Sequence, residues 1–254
     1  DAIRRSDLLG CLKAGTLQLE LEVQEYIEKK PVWVPSESPN DIMAQLLQDQ
    51  EQSDAIFDVG GQKFSAHRCI LALRAPVLLS LAEDANDDVE ISNVEPAIFK
   101  SLLSFVYTTV MPDATLIREE GRGLLESADR FQCTNLKLRL EAAIVESVMN
   151  KGNAVDWLLF AESHNCALLK EATMDVIAKN IETVMETSGW TLLKESSGKL
   201  VAEVMEQQYR KRSRCDDDED AGNMTVSGLR SKLEGKGLDI DGTREMLVKR
   251  LKTC

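Results

Sequence analysis

The chain has 254 residues, a net charge of −13, 43% hydrophobic residues and only 5% aromatic ones. That length allows one large domain or two smaller ones, and the acidic balance excludes a globally basic nucleic-acid binder, so any such contact must come from a local patch. No apolar run approaches the roughly 20 residues that span a bilayer, the N-terminus lacks the apolar core of a signal peptide, and no membrane partner is expected. The six cysteines, Cys11, Cys69, Cys133, Cys166, Cys215 and Cys254, form no Cys-x-x-Cys pair. Neither a zinc site nor a disulfide framework follows from them, and a reducing compartment is the plain reading.

The first element is a strand. Leu17, Leu19, Leu21 and Val23 alternate with Gln18, Glu20, Glu22 and Gln24, so one face is apolar and the other charged or polar. A lone strand is marginal without partners. Either the rest of its sheet lies outside this chain, or the strand pairs with the next unit or with a dimer mate. The stretch IRRSDLLGCLKAGTLQLELEVQEY is similar to the end of a MATH domain as it stands before the BTB domain in speckle-type POZ proteins, and that resemblance implies a remnant of a target-reading β-domain at 1–30. The chain begins with Asp rather than Met, as a fragment or a processed form would.

Pro31, Pro35, Ser36, Ser38 and Pro39 mark a linker over 31–40. Asp41 to Gln50 reads as a short helix carrying Ile42, Leu46 and Leu47, which either close a monomer core or face a second copy. Next, Ala55, Phe57 and Val59 alternate with Ile56 and Asp58, Gly60-Gly61 supplies a tight turn, and Gln62 to Ser65 runs back as a second strand. A helix with Ile70, Leu71 and Arg74 follows, and Pro76 stops it and opens another. Val89 and Ile91 make a third strand. Asn93 is placed to cap a helix opened by Pro96, with Phe99, Leu102, Leu103 and Val106 on one buried face.

That order, with AHRCILALRAPVL at its centre, Val89-Glu90-Ile91, Val94-Glu95-Pro96 and Phe105-Val106-Tyr107-Thr108, resembles the BTB/POZ domain over 41–150. Ala75 and Leu78 depart from the family's usual Ser and Phe. The resemblance implies an α+β fold that forms homodimers through Ile42, Leu46, Leu47, Asp54, His67, Leu71 and Arg74. It also implies contact with a cullin scaffold. Leu81-Ala82-Glu83 has the form of the hydrophobic-x-Glu element of cullin-binding adaptors, in a loop shorter than in the speckle-type relatives, and Tyr107, Trp157 and Leu158 fall beside it. Glu83 can equally be an exposed helix-end acid.

Beyond Tyr107, MPDATL reads as a loop and the remainder as helices to about Tyr209. Leu124, Leu125, Ala128 and Phe131 make one face, and Leu136, Leu140, Ile144 and Val148 the next. Then come Ala154, Trp157, Leu158 and Ala161, followed by Leu169, Thr173 and Val176; Trp190, Leu192 and Leu193 continue the stack. Gly121-Arg122-Gly123 reads as a hinge between a loop and a helix. NAVDWLLFAESHNCALLKEATMDVI resembles the start of the BACK region, giving an all-α extension over 151–209.

From Arg210 the composition changes to RKRSR and then DDDED, a solvated linker over 210–223 whose basic block also has the form of a nuclear localisation signal. The predicted location is accordingly the nucleus, the cytoplasm or both. In the tail, Thr225 is placed to cap a helix with Val226, Leu229 and Leu233, Gly237 permits a turn, and Gly242-Thr243 opens a helix with Met246, Leu247 and Leu251. Those positions match the SAP motif, a helix-loop-helix over 224–254 whose relatives look like DNA binders. The resemblance implies phosphate contacts by Arg230, Lys232, Lys236, Arg244, Lys249 and Arg250. Seven basic against four acidic residues leave a local balance of +3, enough for a few salt-sensitive contacts. A tail that binds protein, or nothing, is the alternative.

Catalysis has no support. His67 and His164, each read as lying beside a helix start, are far apart; no serine or cysteine sits in a nucleophile motif, no glycine loop has phosphate spacing, and the acids from Glu83 to Asp88 lack the EF-hand pattern. No cofactor, metal or catalytic residue is expected. The reading is a non-enzymatic dimeric adaptor that joins an unidentified protein target to a cullin-type ubiquitin ligase, with DNA as a further partner. The rival is a nuclear scaffold or transcription regulator that dimerises and binds DNA but recruits no cullin.

Overall fold

A computed structural model of the chain describes residues 39–49, 51–84, 88–212, 221 and 224–253. The strand at 17–23, the MATH-like remnant, most of the linker after it and the block from Ser213 to Asp220 lie outside the described residues.

Helix α1 (Pro39–Gln48) leads to a three-stranded sheet of β1 (Ala55–Val59), β2 (Gln62–Ala66) and β3 (Val89–Ile91), ordered β2-β1-β3. β1 and β2 form the expected antiparallel hairpin, with Phe57 opposite Phe64. Gly60 and Gly61 turn it at φ of 59° and 83°, and Asp58 Oδ1 accepts the Gly61 N–H at 2.9 Å. β3 pairs with β1 in parallel, Phe57 opposite Val89. A parallel partner needs a crossover, supplied by α2 (Arg68–Arg74) and α3 (Pro76–Asp84). Ala55, Phe57 and Val59 are buried and Ile56 is exposed, so the period of two survives intact.

Helix α4 (Pro96–Thr108) lays Phe99 into the sheet, where its ring meets Phe57, Phe64 and Phe131 at centroid distances of 5.6, 5.3 and 6.0 Å. Offset and edge contacts of this kind add to the burial of the rings themselves. Asn93 does not cap α4. It takes a left-handed φ of 61°, and Glu95 is the capping residue without a side-chain bond. Pro96 at the first helical position fixes the helix start one residue after Glu95, out of Asn93's reach.

Helices α5 (Ala114–Arg130) and α6 (Thr134–Ser147) follow. The loop before α5 is shorter than MPDATL, since Asp113 precedes the first turn and holds the Thr115 hydroxyl. The Gly121–Gly123 segment is not a hinge between loop and helix. It lies inside α5 just after a kink at Glu120 (φ −116°, ψ 19°), and a Cβ on Gly123 would stand 2.5 Å from Ile98 Cδ1. A side chain there would have to displace the tip of Ile98, so close packing against α4 favours glycine.

The helical extension comprises α7 (Ala154–Ser163), α8 (Ala167–Lys179), α9 (Ile181–Met185), α10 (Ser188–Ser196) and α11 (Gly198–Arg212). Its core gathers Leu158, Met174, Ile177, Trp190, Leu193 and Val204. Leu192 faces solvent at 55% exposure, contrary to its grouping with Trp190 and Leu193. A helix turns 100° per residue, and that step carries Leu192 off the face that buries Trp190 and Leu193. His164 ends α7 instead of starting a helix, and its ring stacks on Phe160 at 4.4 Å. The tail forms α12 (Val226–Gly235) and α13 (Arg244–Lys252), capped by Thr225 and Thr243, whose hydroxyls accept from Gly228 N and Met246 N. Met246 is 45% exposed, so the apolar face of α13 is narrower than its spacing implied.

Candidate partner-binding surfaces

The predicted dimer-face residues divide by burial. Ile42 is 54% exposed, and Leu46 and Leu47 are half-buried against the main core. Asp54 is exposed, yet its carboxylate accepts the Arg68 N–H at 2.7 Å and thereby fixes the start of α2. Arg74, exposed along its length, donates Nη1 to the carbonyls of Val106 and Tyr107 at 2.8 and 3.2 Å and so closes the C-terminal end of α4. Leu71 and His67 are buried, which corrects their placement on an outer face: they belong to this chain's interior. Leu73 was overlooked and is the most exposed large apolar residue among those described, at 81%. Leu71, two positions earlier, points inward, and two helix steps, about 200°, carry Leu73 to the opposite side.

The hydroxyl of Tyr107 explains His67. It accepts the His67 backbone N–H at 2.8 Å and lies 2.8 Å from Nδ1. A phenol that donates to Nδ1 leaves the neutral imidazole with its proton on Nε2, and that atom is buried without a partner among the described residues. Burial pushes the Tyr107 hydroxyl up to about 12, so it stays a donor at every ordinary pH.

On the predicted cullin face, α3 runs to Asp84 and includes Leu81, Ala82 and Glu83. Leu81 is half-buried against the core and Glu83 is exposed in the last turn. Tyr107, Trp157 and Leu158 are 2%, 5% and 0% exposed, so they support a surface and cannot themselves touch a partner. What covers Trp157 is Arg122, whose guanidinium carbon sits 5.0 Å from the indole centroid and 5.8 Å from that of Phe160.

The tail departs furthest from expectation. Arg230, a predicted phosphate ligand, is 12% exposed and pairs at 3.0 Å with Glu141 of α6, which is fully buried. Glu141 also accepts the Leu168 and Leu169 N–H groups at 3.0 and 3.3 Å, so one carboxylate joins α6, the first turn of α8 and α12. Burial raises its pKa, and Arg230, the Leu169 N–H and Lys137 pull the other way. Nearby, Lys137 (3% exposed) bridges Asp129 at 2.8 Å and Asp241 at 3.2 Å. Burial disfavours its charge, but the two carboxylates prevail and its pKa ends above the ordinary lysine value. Glu171 of α8 accepts the Val226 N–H at 2.9 Å, at the first turn of α12. Arg244 donates to Met224 O at 2.7 Å, and Arg250 is held by Asp239 Oδ2 at 2.6 Å and by the Asp241 carbonyl. Of the six predicted phosphate ligands, Lys232, Lys236 and Lys249 are the exposed ones. Glu141, Glu171 and Lys137 were not foreseen. Lys137 and Glu141 stand four apart beside the Leu136, Leu140 and Ile144 stripe, a spacing that looks the same for a solvated surface pair.

Among the described residues, no group of three or more His, Cys, Asp or Glu side chains is placed to hold a metal ion, and no helix is long and apolar enough to cross a membrane.

Three family models match the chain: a BTB/POZ domain over residues 43–148, a BPM/SPOP BACK domain over 153–205 and a SAP domain over 220–253. BTB/POZ and MATH domain-containing protein 4 of Arabidopsis thaliana is 26% identical over 223 residues, covering 81% of this chain and 44% of its own length. The chain thus spans less than half of that curated relative. Among solved structures, the BTB domain of zebrafish PATZ1 is 20% identical with a TM-score of 0.37, covering 46% of this chain and 100% of its own. The BTB domain of human gigaxonin is 18% identical with a TM-score of 0.34, covering 45% and 97%.

Proposed function

For this BTB/POZ domain protein, whose BPM/SPOP-type BACK domain and SAP domain follow on the same chain, we propose the role of a homodimeric, non-enzymatic adaptor that brings a protein target to a cullin-type ubiquitin ligase. The observation that carries it is the direct passage from the BTB match, ending at 148, into a BACK match of the BPM/SPOP kind, beginning at 153. A relative with the same BTB part that is named for a MATH domain supports a protein target. Exposed Ile42 and Leu73, with Leu46 and Leu47 behind Ile42, supply apolar area for a second copy, and Leu81 with Glu83 at the end of α3 supplies the cullin contact. Pairing two chains doubles weak contacts and raises effective concentration without new chemistry.

The SAP domain adds a weak nucleic-acid contact, compatible with work in the nucleus or the cytoplasm. A second reading, a DNA-binding scaffold that recruits no ligase, draws on Leu81 being packed against this chain's own core. Calorimetry of the purified chain against a cullin N-terminal domain separates the two. Micromolar or tighter binding, lost in Glu83→Lys and in Leu81→Asp, supports the adaptor. No binding by a folded dimer removes it and leaves the scaffold.

A further inference from the structure

The SAP domain meets the rest of the chain through opposite charges. On its side stand the Arg230 guanidinium and the N–H groups at the start of α12; on the other stand Glu141, fully buried, and Glu171. Beside these contacts a cleft of about 630 Å³ opens between α7, α8 and α11 and the first turns of α12 and α13. Glu162, Glu171, Asp175, Glu203 and Glu206 line its body side with a single cation among the described residues, Lys170, which pairs with Glu162 at 2.6 Å and Glu203 at 2.8 Å, and Thr225 and Thr243, the capping residues of both tail helices, line the other. The positive ends of two helix dipoles therefore lie along a wall rich in carboxylates.

Phosphate groups need the same donors. An unpaired helix N-terminus with a nearby guanidinium is an anion site, and here carboxylates of the same chain hold both. Duplex DNA, with one negative charge per about 1.7 Å of axis, cannot approach that face past the acidic wall. Exposed Lys232, Lys236 and Lys249 are too few to replace it, since affinity falls steeply with salt and rises with each phosphate neutralised.

We propose that docking of the SAP domain on α6 and the BACK helix α8 and binding of duplex nucleic acid through Arg230 and the start of α12 exclude one another, with Glu141 and Glu171 as built-in competitors for phosphate. This rests on the nucleic-acid contact proposed above. It makes the tail a closed module that opens when a duplex displaces the two carboxylates, and linkage makes the effect reciprocal: what opens the tail raises affinity, and a duplex opens the tail.

The test uses the full chain. Affinity for a labelled 20-base-pair duplex at low salt is read by fluorescence anisotropy for wild type, Glu141→Gln and the control Glu146→Gln, an exposed α6 carboxylate giving the same change in net charge. Hydrogen exchange is followed at Leu168, Leu169 and 226–235. Glu141→Gln is expected to bind about tenfold tighter, as the competent fraction rises, and to exchange faster over 226–235, while Glu146→Gln matches wild type in both. Excess duplex should speed exchange at Leu168 and Leu169 in wild type. Equal duplex affinity in wild type and in a Glu141→Gln chain whose α12 exchange has risen would overturn the exclusion and leave the nucleic-acid contact standing. No duplex bound by that opened variant would remove the contact and the exclusion with it. Unchanged α12 exchange in Glu141→Gln would overturn the role given to the carboxylate. Should Glu141→Gln not fold, Glu171→Ala, which removes only the acceptor for Val226 N–H, is held to the same outcomes.

Discussion

The BTB region and the SAP region are held in different ways. The first is organised by rings: Phe57, Phe64 and Phe131 surround Phe99, and the Arg130 guanidinium lies over the Phe131 ring at 5.2 Å. The second has a core of Val226, Leu229, Leu233 and Leu247 completed by Ala167 and flanked by Leu168 of the BACK domain, and carboxylates and cations add its polar ties to the body. Apolar burial is indifferent to pH and is not weakened by simple salts, whereas a buried ion pair depends on every partner being present. A small module short of apolar area thus leans on charges for its orientation more than a larger one does.

Four changes break or sharpen this contrast. The largest effect is expected from Phe99→Ala, which empties the centre of the aromatic group and should cost about 3–5 kcal/mol in denaturant unfolding, with no dependence on salt. Next, Glu141→Ala leaves Arg230 and two N–H groups without their acceptor. A loss of roughly 3 kcal/mol is expected, read as faster hydrogen exchange across α12 and α13 ahead of the BTB sheet. Lys137→Met should cost roughly 2 kcal/mol, because two charged hydrogen bonds are lost while Asp129 and Asp241 keep partial access to water. Its folded pKa lies above the unfolded value of about 10.4, so the stabilisation is complete below that pH and is lost as pH rises through the folded value. The gap between wild type and Lys137→Met should therefore stay constant from pH 6 to 9 and close in stronger alkali; a gap already closing at pH 8 would contradict the assignment. Smallest is Thr243→Ala, about 1 kcal/mol from the lost cap of α13, visible as local exchange over 244–251 with the BTB sheet unaffected.

The same contrast governs what could be read in advance. The hairpin was legible because Gly60-Gly61 permits only a few turns, and the first BTB helices because Pro76 and Pro96 fix where helices start. The cap of α12 was legible from Thr225 before Val226, and the start of α13 from Gly242-Thr243. Rules of this kind act over a few residues. Asn93 was misread because Pro96 sets the boundary of α4, and Gly121–Gly123 was misread because the demand for glycine comes from Ile98, far away in sequence. The fate of Arg230 was hidden for a similar reason. Nothing within ten residues of it hints at Glu141, and its own neighbourhood of Lys232 and Lys236 resembles a solvated basic face. Sequence patterns report which side of a helix is apolar. They do not report which charged side chain will find a distant partner of opposite sign.

Helix α8 feeds all three cores. Cys166 and Leu169 at its start enter the BTB core, Met174 and Ile177 the BACK core, and Ala167 the SAP core. These allegiances are distributed around one cylinder, so its rotational phase is common property of the three domains. Inserting a single residue near Thr173 would turn everything beyond it by 100°, carrying Met174 and Ile177 off their core while Cys166, Ala167 and Leu169 kept theirs. The modules are separate in family origin, yet α8 works like a camshaft, and none of the three can be re-timed alone.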